Sequence, residues 1–225
     1  MPREWTMSER SLKRISNAKI RDAALIDQRH AEIVRGAVKV FKEKGFHVST
    51  VRDIGDAAGL TQGTLYNYVR SKEDILFLVC DQLVQNYQDA VTAAIKAETD
   101  PRKRLTSALR AVISTMEAHQ EDLLLLYQEV HALERDALRA VLARVAEFID
   151  GFIKLIEESR AHGLIDFSDP RLGAEIITFL PLIVALRRWR FAHYADHRRV
   201  TEGLIEFMSR GLGIAVPAAE GLADE

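Results

Sequence analysis

Within residues 49–76, STVRDIGDAAGLTQGTLYNYVRSKEDIL, the chain carries three helix starts and one helix stop, which leaves little freedom in how the segment folds. Thr50 and Asp53 have the spacing of a capping box, so a helix starts near Val51 and runs through Ile54, Ala57 and Ala58. Gly59 supplies the left-handed residue that ends it, and Leu60 plugs the corner. Thr61 then caps a second helix from Gln62 to about Tyr68. The turn is about four residues, the length found in a helix-turn-helix, whose second helix lies in the DNA major groove. Ser71 and Asp74 form another capping box ahead of Ile75, Leu76, Leu78 and Val79.

The order of residue types resembles the TetR family of bacterial one-component transcription regulators, over about residues 33–78. The residues that carry the resemblance are Thr50, Ile54, Ala58, Gly59, Leu60, Thr61, Gly63, Thr64, Leu65, Tyr66, Tyr68, Ser71, Lys72, Glu73 and Leu76. Gly55 replaces a small Ala and Val69 stands where Phe is common, both of them packing changes. The resemblance implies an all-α chain. It would hold an N-terminal three-helix helix-turn-helix DNA-binding domain and a C-terminal helical bundle for effector binding and dimerisation.

Ile54, Ala58, Leu60, Leu65 and Val69 recur at helical spacing and belong to the core of the small domain. Gln62, Gly63, Thr64 and Asn67 sit on a helix with too few apolar residues to bury every side, and small or amide side chains can bond base edges. Thr50, Arg52, Tyr66, Tyr68 and Lys72 suit phosphates, since a hydroxyl or cation near a helix N-terminus positions a duplex without reading it. The resemblance points the same way for Tyr66 and Lys72. For Tyr68 a core role is an equal alternative.

Net charge is −2 over the whole chain, but it is unevenly spread. Residues 1–80 hold 14 Lys and Arg against 10 Asp and Glu, leaving 17 of the 31 cations and 23 of the 33 anions to the remainder. A basic N-terminal part joined to an acidic one fits a two-domain protein in which only the first touches phosphate. Residues 1–26 read as a flexible basic arm, with Arg3, Arg10, Lys13, Arg14, Lys19 and Arg21 placed to reach a minor groove. The first 28 residues hold no apolar stretch of signal-peptide kind. The longest uncharged run in the apolar C-terminal half is residues 176–186, well short of the ~20 residues that span a bilayer. A single cysteine, Cys80, excludes an intrachain disulfide and fits a reducing bacterial cytoplasm, with association to the nucleoid when operator is bound.

The expected organisation is an arm (1–26), the helix-turn-helix domain (27–71), a helical effector-binding and dimerisation domain (72–212) and a flexible tail (213–225). The first helix should span about 27–44 with Gly45 as its terminator. A long helix from Lys72 to about Glu98 is stopped by Asp100 and Pro101. Further helices are expected near 101–118, 121–132, 134–161, 170–194, kinked at Pro181, and 197–212. The last two are so apolar that they need cover, and the resemblance implies a two-fold four-helix interface using Ile183, Leu186, Leu204, Phe207 and Met208.

Members of the family resembled carry an effector pocket in the second domain. The candidate wall is Met116, Leu123, Tyr127, Phe148, Phe152, Ile177, Leu180, Val184 and Trp189, all apolar or aromatic, although core and pocket use the same residue types. Arg187, Arg188 and Arg190 around Trp189 could hold an anionic headgroup, so an acyl-CoA or another apolar or amphipathic molecule satisfies both features. The alternative for the arginines is a wet helix end paired with nearby acids. No cofactor or metal is expected. His193 and His197 lack a third ligand, and no hydrolase, nucleotide-loop or di-iron motif occurs, so catalysis is not expected. The reading is a homodimeric, ligand-responsive regulator, a repressor of a palindromic double-stranded DNA operator, with no membrane partner. Its alternatives are a regulator without a small-molecule effector and a helical enzyme or carrier on the same fold.

Overall fold

The computed structural model describes residues 23–191, 193 and 196–214, and all regular structure among them is helical. In chain order the elements are α1 (Ala23–Lys44), α2 (Val51–Ala58), α3 (Gln62–Leu65), α4 (Lys72–Ala97), α5 (Pro101–Ala118) and α6 (Gln120–Glu129). A 3-10 turn, Val130–Ala132, leads into α7 (Arg135–Ala161), followed by α8 (Pro170–Phe179), α9 (Leu182–Leu186), α10 (Arg188–Phe191) and α11 (His197–Gly211). No helix among the described residues is long and apolar enough to cross a membrane.

The chain packs as two compact units, and the division does not fall at residue 72, where the sequence places it. One unit joins residues up to 83 with 121–144, and the other joins 84–120 with the residues from 145 onward. The reason is apolar cover. The core of the first unit, built on Ile33, Ala37, Phe41, Ile54, Leu65 and Val69, continues through Ile75, Leu76 and Val79 of α4. It is closed by Leu125, Leu133 and Val141 from the 121–144 segment. A three-helix head of some 45 residues cannot bury enough surface by itself, so the chain adds helices to it. Within this unit α1 and α2 cross at backbone distance: a Cβ on Gly36 would stand 2.8 Å from the Ala58 nitrogen and 2.9 Å from its Cβ. Cys80 is fully buried in the same core, and burial pushes its thiol up to about 12.

In the second unit, α5 packs on α9 and α11. Arg110 forms a bidentate pair with Glu202, and Thr201 donates to Glu117 at 3.0 Å. The helix expected over 170–194 is in three pieces. Pro181 has no N–H and clashes with the preceding turn, so the chain tightens through Ile183 N–H to Leu180 O and Val184 N–H to Pro181 O, each 3.1 Å. A second break follows at Arg187, with φ −117° and ψ 26°. Asp169 caps α8 with Pro170 in its first turn, and Asp196 caps α11. Gly213, at φ +75°, closes α11, and Ile214 N–H reaches Ser209 O at 2.8 Å, so the tail expected from 213 begins with two bonded residues. The rest of that tail lies outside the described residues, as does residues 1–22 of the expected arm.

Candidate nucleic-acid interface

The reading motif is held by its caps. Thr50 is the N-cap of α2: its hydroxyl accepts from Asp53 N–H at 3.1 Å while Asp53 accepts from Thr50 N–H at 2.9 Å. Lys44 Nζ bonds the other Asp53 oxygen at 2.7 Å. The Lys44 ammonium and the Thr50 donors hold the Asp53 carboxyl down at about 2. Gly59, at φ +68°, turns the chain, a conformation in which a side chain would be strained. Thr61 then caps α3, accepting from Thr64 N–H at 3.2 Å, and the two threonine hydroxyls bond each other at 2.8 Å.

The reading helix is shorter than the sequence suggests. Regular α geometry ends at Leu65, and Asn67 N–H to Thr64 O and Tyr68 N–H to Leu65 O wind the next residues into tighter turns. The tightening takes Leu65, Tyr68 and Val69 inward, where all three are buried. The opposite side presents Gln62, Gly63, Tyr66 and Asn67 to solvent, with Thr64 half-buried. Thr50 and Arg52 are exposed at the start of α2. These residues form one surface of polar donors and acceptors around a 48 % exposed tyrosine.

Tyr68 takes the core alternative that the sequence left open, and Lys72, expected on that surface, is turned inward. Tyr68 is a core residue, its ring edge-on to His30 with centroids 6.0 Å apart. An aromatic at this place in the tightened turn must point toward α1. Lys72 Nζ donates to Phe46 O at 2.7 Å, His47 O at 2.8 Å and Ser49 O at 3.0 Å, and lies 4.6 Å from the Phe46 ring centre. An ammonium has three N–H donors. All three are used inside the protein, so a direct phosphate contact by Lys72 is not what this structure presents. Sequence reasoning gave no role to Val48, which stands 75 % exposed in the loop that Lys72 holds. Its only signal is an apolar residue out of period, just ahead of a cap.

Around this unit, Lys42 pairs with Glu121 at 3.1 Å and Asp122 at 2.9 Å, and His47 Nε2 lies 3.1 Å from Glu129. Arg144 pairs with Asp81 at 2.7 Å. Burial lowers the His30 pKa and raises that of Asp81, each moderated by charged neighbours.

The second unit has an unusual exposed apolar face. Leu172, Ile176 and Phe179 follow one side of α8 at intervals of four and three residues, and Leu186, Trp189 and Phe207 are exposed as well. Of the residues expected at a dimer interface, Leu186 and Phe207 are exposed and Ile183 and Leu204 half-buried. Met208 is not on the face: it is buried in the protomer's own core because it lies on the side of α11 turned inward. Leu172, Ile176 and Phe179 lie on the first part of the helix whose apolar composition marks it in the sequence as needing cover.

The expected effector wall divides. Met116, Phe148, Phe152, Ile177 and Val184 are buried in the second unit, with Phe148 and Phe152 edge-on at 5.4 Å, and Leu180 is half-buried there. Leu123 is buried and Tyr127 is 46 % exposed, and both belong to the other unit. Trp189, expected in the wall, is exposed, as are Arg187, Arg188 and Arg190, because α10 is a separate short helix after the second break. An open groove of about 330 Å³ in the second unit is lined by Ala94 and Ala97 of α4, Glu98 just after it, and Ser107 and Arg110 among the α5 residues, and by none of the expected wall. Among the described residues no group of His, Cys, Asp and Glu could hold a metal ion.

Two family comparisons match this chain: bacterial regulatory proteins of the tetR family over residues 33–79, and the tetracyclin repressor-like C-terminal domain over residues 98–190. The HTH-type transcriptional regulator HbdR of Aromatoleum sp. strain CIB is 28 % identical over 88 % of this chain and 83 % of its own length. A tetR-family regulatory protein from Rhodococcus RHA1 superimposes with TM-score 0.72 at 24 % identity, covering 84 % of this chain and 99 % of that one. AibR, solved with isovaleryl coenzyme A and operator DNA, gives TM-score 0.65 at 19 % identity over 80 % of this chain and 97 % of that one.

Proposed function

Because this chain belongs to the TetR family of bacterial regulatory proteins, we propose that it represses a palindromic operator as a homodimer and is released by an apolar or acyl-type effector. It is a DNA-binding transcription regulator and not an enzyme. The observation that carries the operator reading is the two-sided finish of the motif. Leu65, Tyr68 and Val69 are buried on one side, and Gln62, Gly63, Tyr66 and Asn67 are exposed on the other. Gln62, Asn67 and Thr64 read base edges, while Thr50, Arg52 and Tyr66 hold phosphates and fix the register.

The dimer reading rests on the exposed apolar side chains of α8, α9 and α11, Leu172, Ile176, Phe179, Leu186 and Phe207, which a second copy would cover. Two copies then present two reading heads to half-sites about 34–36 Å apart or a multiple of that. The site of action is the bacterial cytoplasm, on the nucleoid. For the effector, the buried apolar set of the second unit supports a molecule with an apolar body, and AibR is described with isovaleryl coenzyme A bound. Release follows from linkage: a ligand that prefers the conformation unable to bind operator weakens DNA by the same factor that DNA weakens the ligand. A second reading, regulation without a small molecule, is favoured by one observation, that Phe152 and Ile177 are almost fully buried against their own unit.

The test begins with selection from a randomised duplex library. Wild type should enrich a palindrome, and Gln62→Ala should change the consensus at one position, with a loss of about 1–3 kcal/mol of base discrimination. An unaltered consensus removes Gln62 from base reading. Fluorescence anisotropy with acyl-CoA thioesters of increasing length then reads release. No shift by any thioester or free fatty acid leaves the regulator without this class of effector.

A further inference from the structure

We propose that Lys72 is a positioning residue for DNA recognition, strapping the loop ahead of the reading motif from inside the protein instead of binding phosphate. This rests on the operator reading above. Lys72 is the first residue of α4, whose first turn also holds Glu73 and Asp74. A cation at a helix N-terminus opposes the macrodipole, so its presence there asks for acceptors elsewhere. The structure provides them: the carbonyls of Phe46, His47 and Ser49 converge on Nζ at 2.7, 2.8 and 3.0 Å, and the Phe46 ring lies beneath it.

The strapped loop has no regular helix of its own; its further ties are Ser49 Oγ to Phe46 O at 2.7 Å, Ser49 N–H to Gly45 O at 3.3 Å and the His47 Nε2 contact with Glu129 at 3.1 Å. It leads directly into Thr50, the cap that fixes the first turn of α2 and thereby the direction of Arg52. The other end of the strap is equally fixed. Ser71 accepts from Asp74 N–H at 3.1 Å, and Asp74 accepts from Arg70 N–H at 2.9 Å, so the residues leaving α3 are held on the same frame as the ammonium. Lys72 therefore closes a ring that begins before α2 and ends after α3. The exposed residues between, Arg52, Gln62, Tyr66 and Asn67, are aimed by that ring. A point ammonium suits three converging carbonyls, and a planar guanidinium does not.

The experiment compares wild type with Lys72→Met, Lys72→Arg and Ser49→Ala, using the duplex that wild type enriches from a randomised library and an unrelated duplex of equal length. The expected result is that Lys72→Met weakens the enriched duplex at least about tenfold and leaves the unrelated duplex nearly unchanged. The slope of log affinity against log salt should stay as in wild type. Lys72→Arg should not restore specific binding, and Ser49→Ala should give a smaller loss of the same kind. Equal weakening of both duplexes, a slope reduced by about 0.9 and rescue by arginine identify a phosphate contact and overturn the proposal. A lowered melting temperature with both affinities intact overturns it in favour of plain stabilisation. Failure of wild type to enrich any duplex overturns the operator reading and this inference with it.

Discussion

The reading head of the first unit fixes its turns with side chains bonded to backbone groups, whereas the second unit leaves a row of large apolar side chains on α8, with others on α9 and α11, exposed. At the reading head, Thr50, Asp53, Thr61 and Lys72 all bond backbone groups, and the exposed residues stand on turns fixed by those bonds. On α8 and α11 the exposed residues include the large apolar side chains Leu172, Ile176, Phe179 and Phe207 alongside charged ones such as Arg171 and Glu175. The contrast shows two kinds of incompleteness. The head is finished as a fold and lacks only a polyanion to meet its donors. The apolar face is unfinished as a fold until another apolar surface covers it.

The largest effect that bears on this contrast should come from Phe207→Glu. If the face is covered by a second copy, a carboxylate is buried there without a partner, at a cost of ~3–5 kcal/mol per subunit. Dimers should give way to monomers in sedimentation, and operator affinity should fall by more than about a hundredfold. A variant that remains as associated as wild type would show that this face needs no apolar cover.

Next in size is Gly36→Ala. The added methyl meets the Ala58 backbone, which has no flexible end to move. Overpacking at such a crossing costs about 1–3 kcal/mol, read as a lower midpoint in chemical denaturation. Because the crossing lies inside the head, dimer mass in sedimentation should not change. A stability equal to wild type would mean that α1 and α2 separate easily, against the rigid head described above.

The smallest effect concerns pH. Asp53 has its carboxyl held at about 2 against an ordinary value near 3.8. A depressed carboxylate adds stability that is complete above the unfolded value and is lost as pH falls through the folded one. Asp53→Asn should therefore be less stable than wild type by a constant margin above about pH 5, and the two should draw together as pH falls from about 4 through 2. A margin that keeps its full neutral-pH size below about pH 2 would assign the difference to the hydrogen bonds and not to the charge.

Local signals were legible in the sequence because they act over three or four residues. The Thr50 and Asp53 box, the Gly59 stop, the Thr61 cap and the limits of α4, α5 and α7 all follow from neighbours in the chain. Signals that depend on distant packing were not. Nothing near Lys72 announces that the carbonyls of Phe46 and Ser49 will surround it, and the choice between core and surface that the sequence left open for Tyr68 is decided by packing against His30 on α1. The division within α4 was hidden for the same reason, since it depends on Leu125, Leu133 and Val141 returning to the first core. The proline at 181 announced a distortion, but its outcome, two breaks and a short exposed α10, depends on Arg187 as well. That second break is what took Trp189 out of the expected wall.

The burial of Cys80 has a practical consequence for anyone wishing to watch this protein work. It is the only cysteine in the sequence, and its thiol is pushed up to about 12 inside a closed core. Alkylating reagents attack thiolates, and a thiol raised by burial and closed off from solvent offers almost none near neutral pH. The buried Cys80 should therefore label far more slowly than an exposed cysteine. A cysteine introduced at the exposed Val48 would accept a spin label or fluorophore alone. The distance between the two reading heads could then be followed directly as operator and candidate effectors are added.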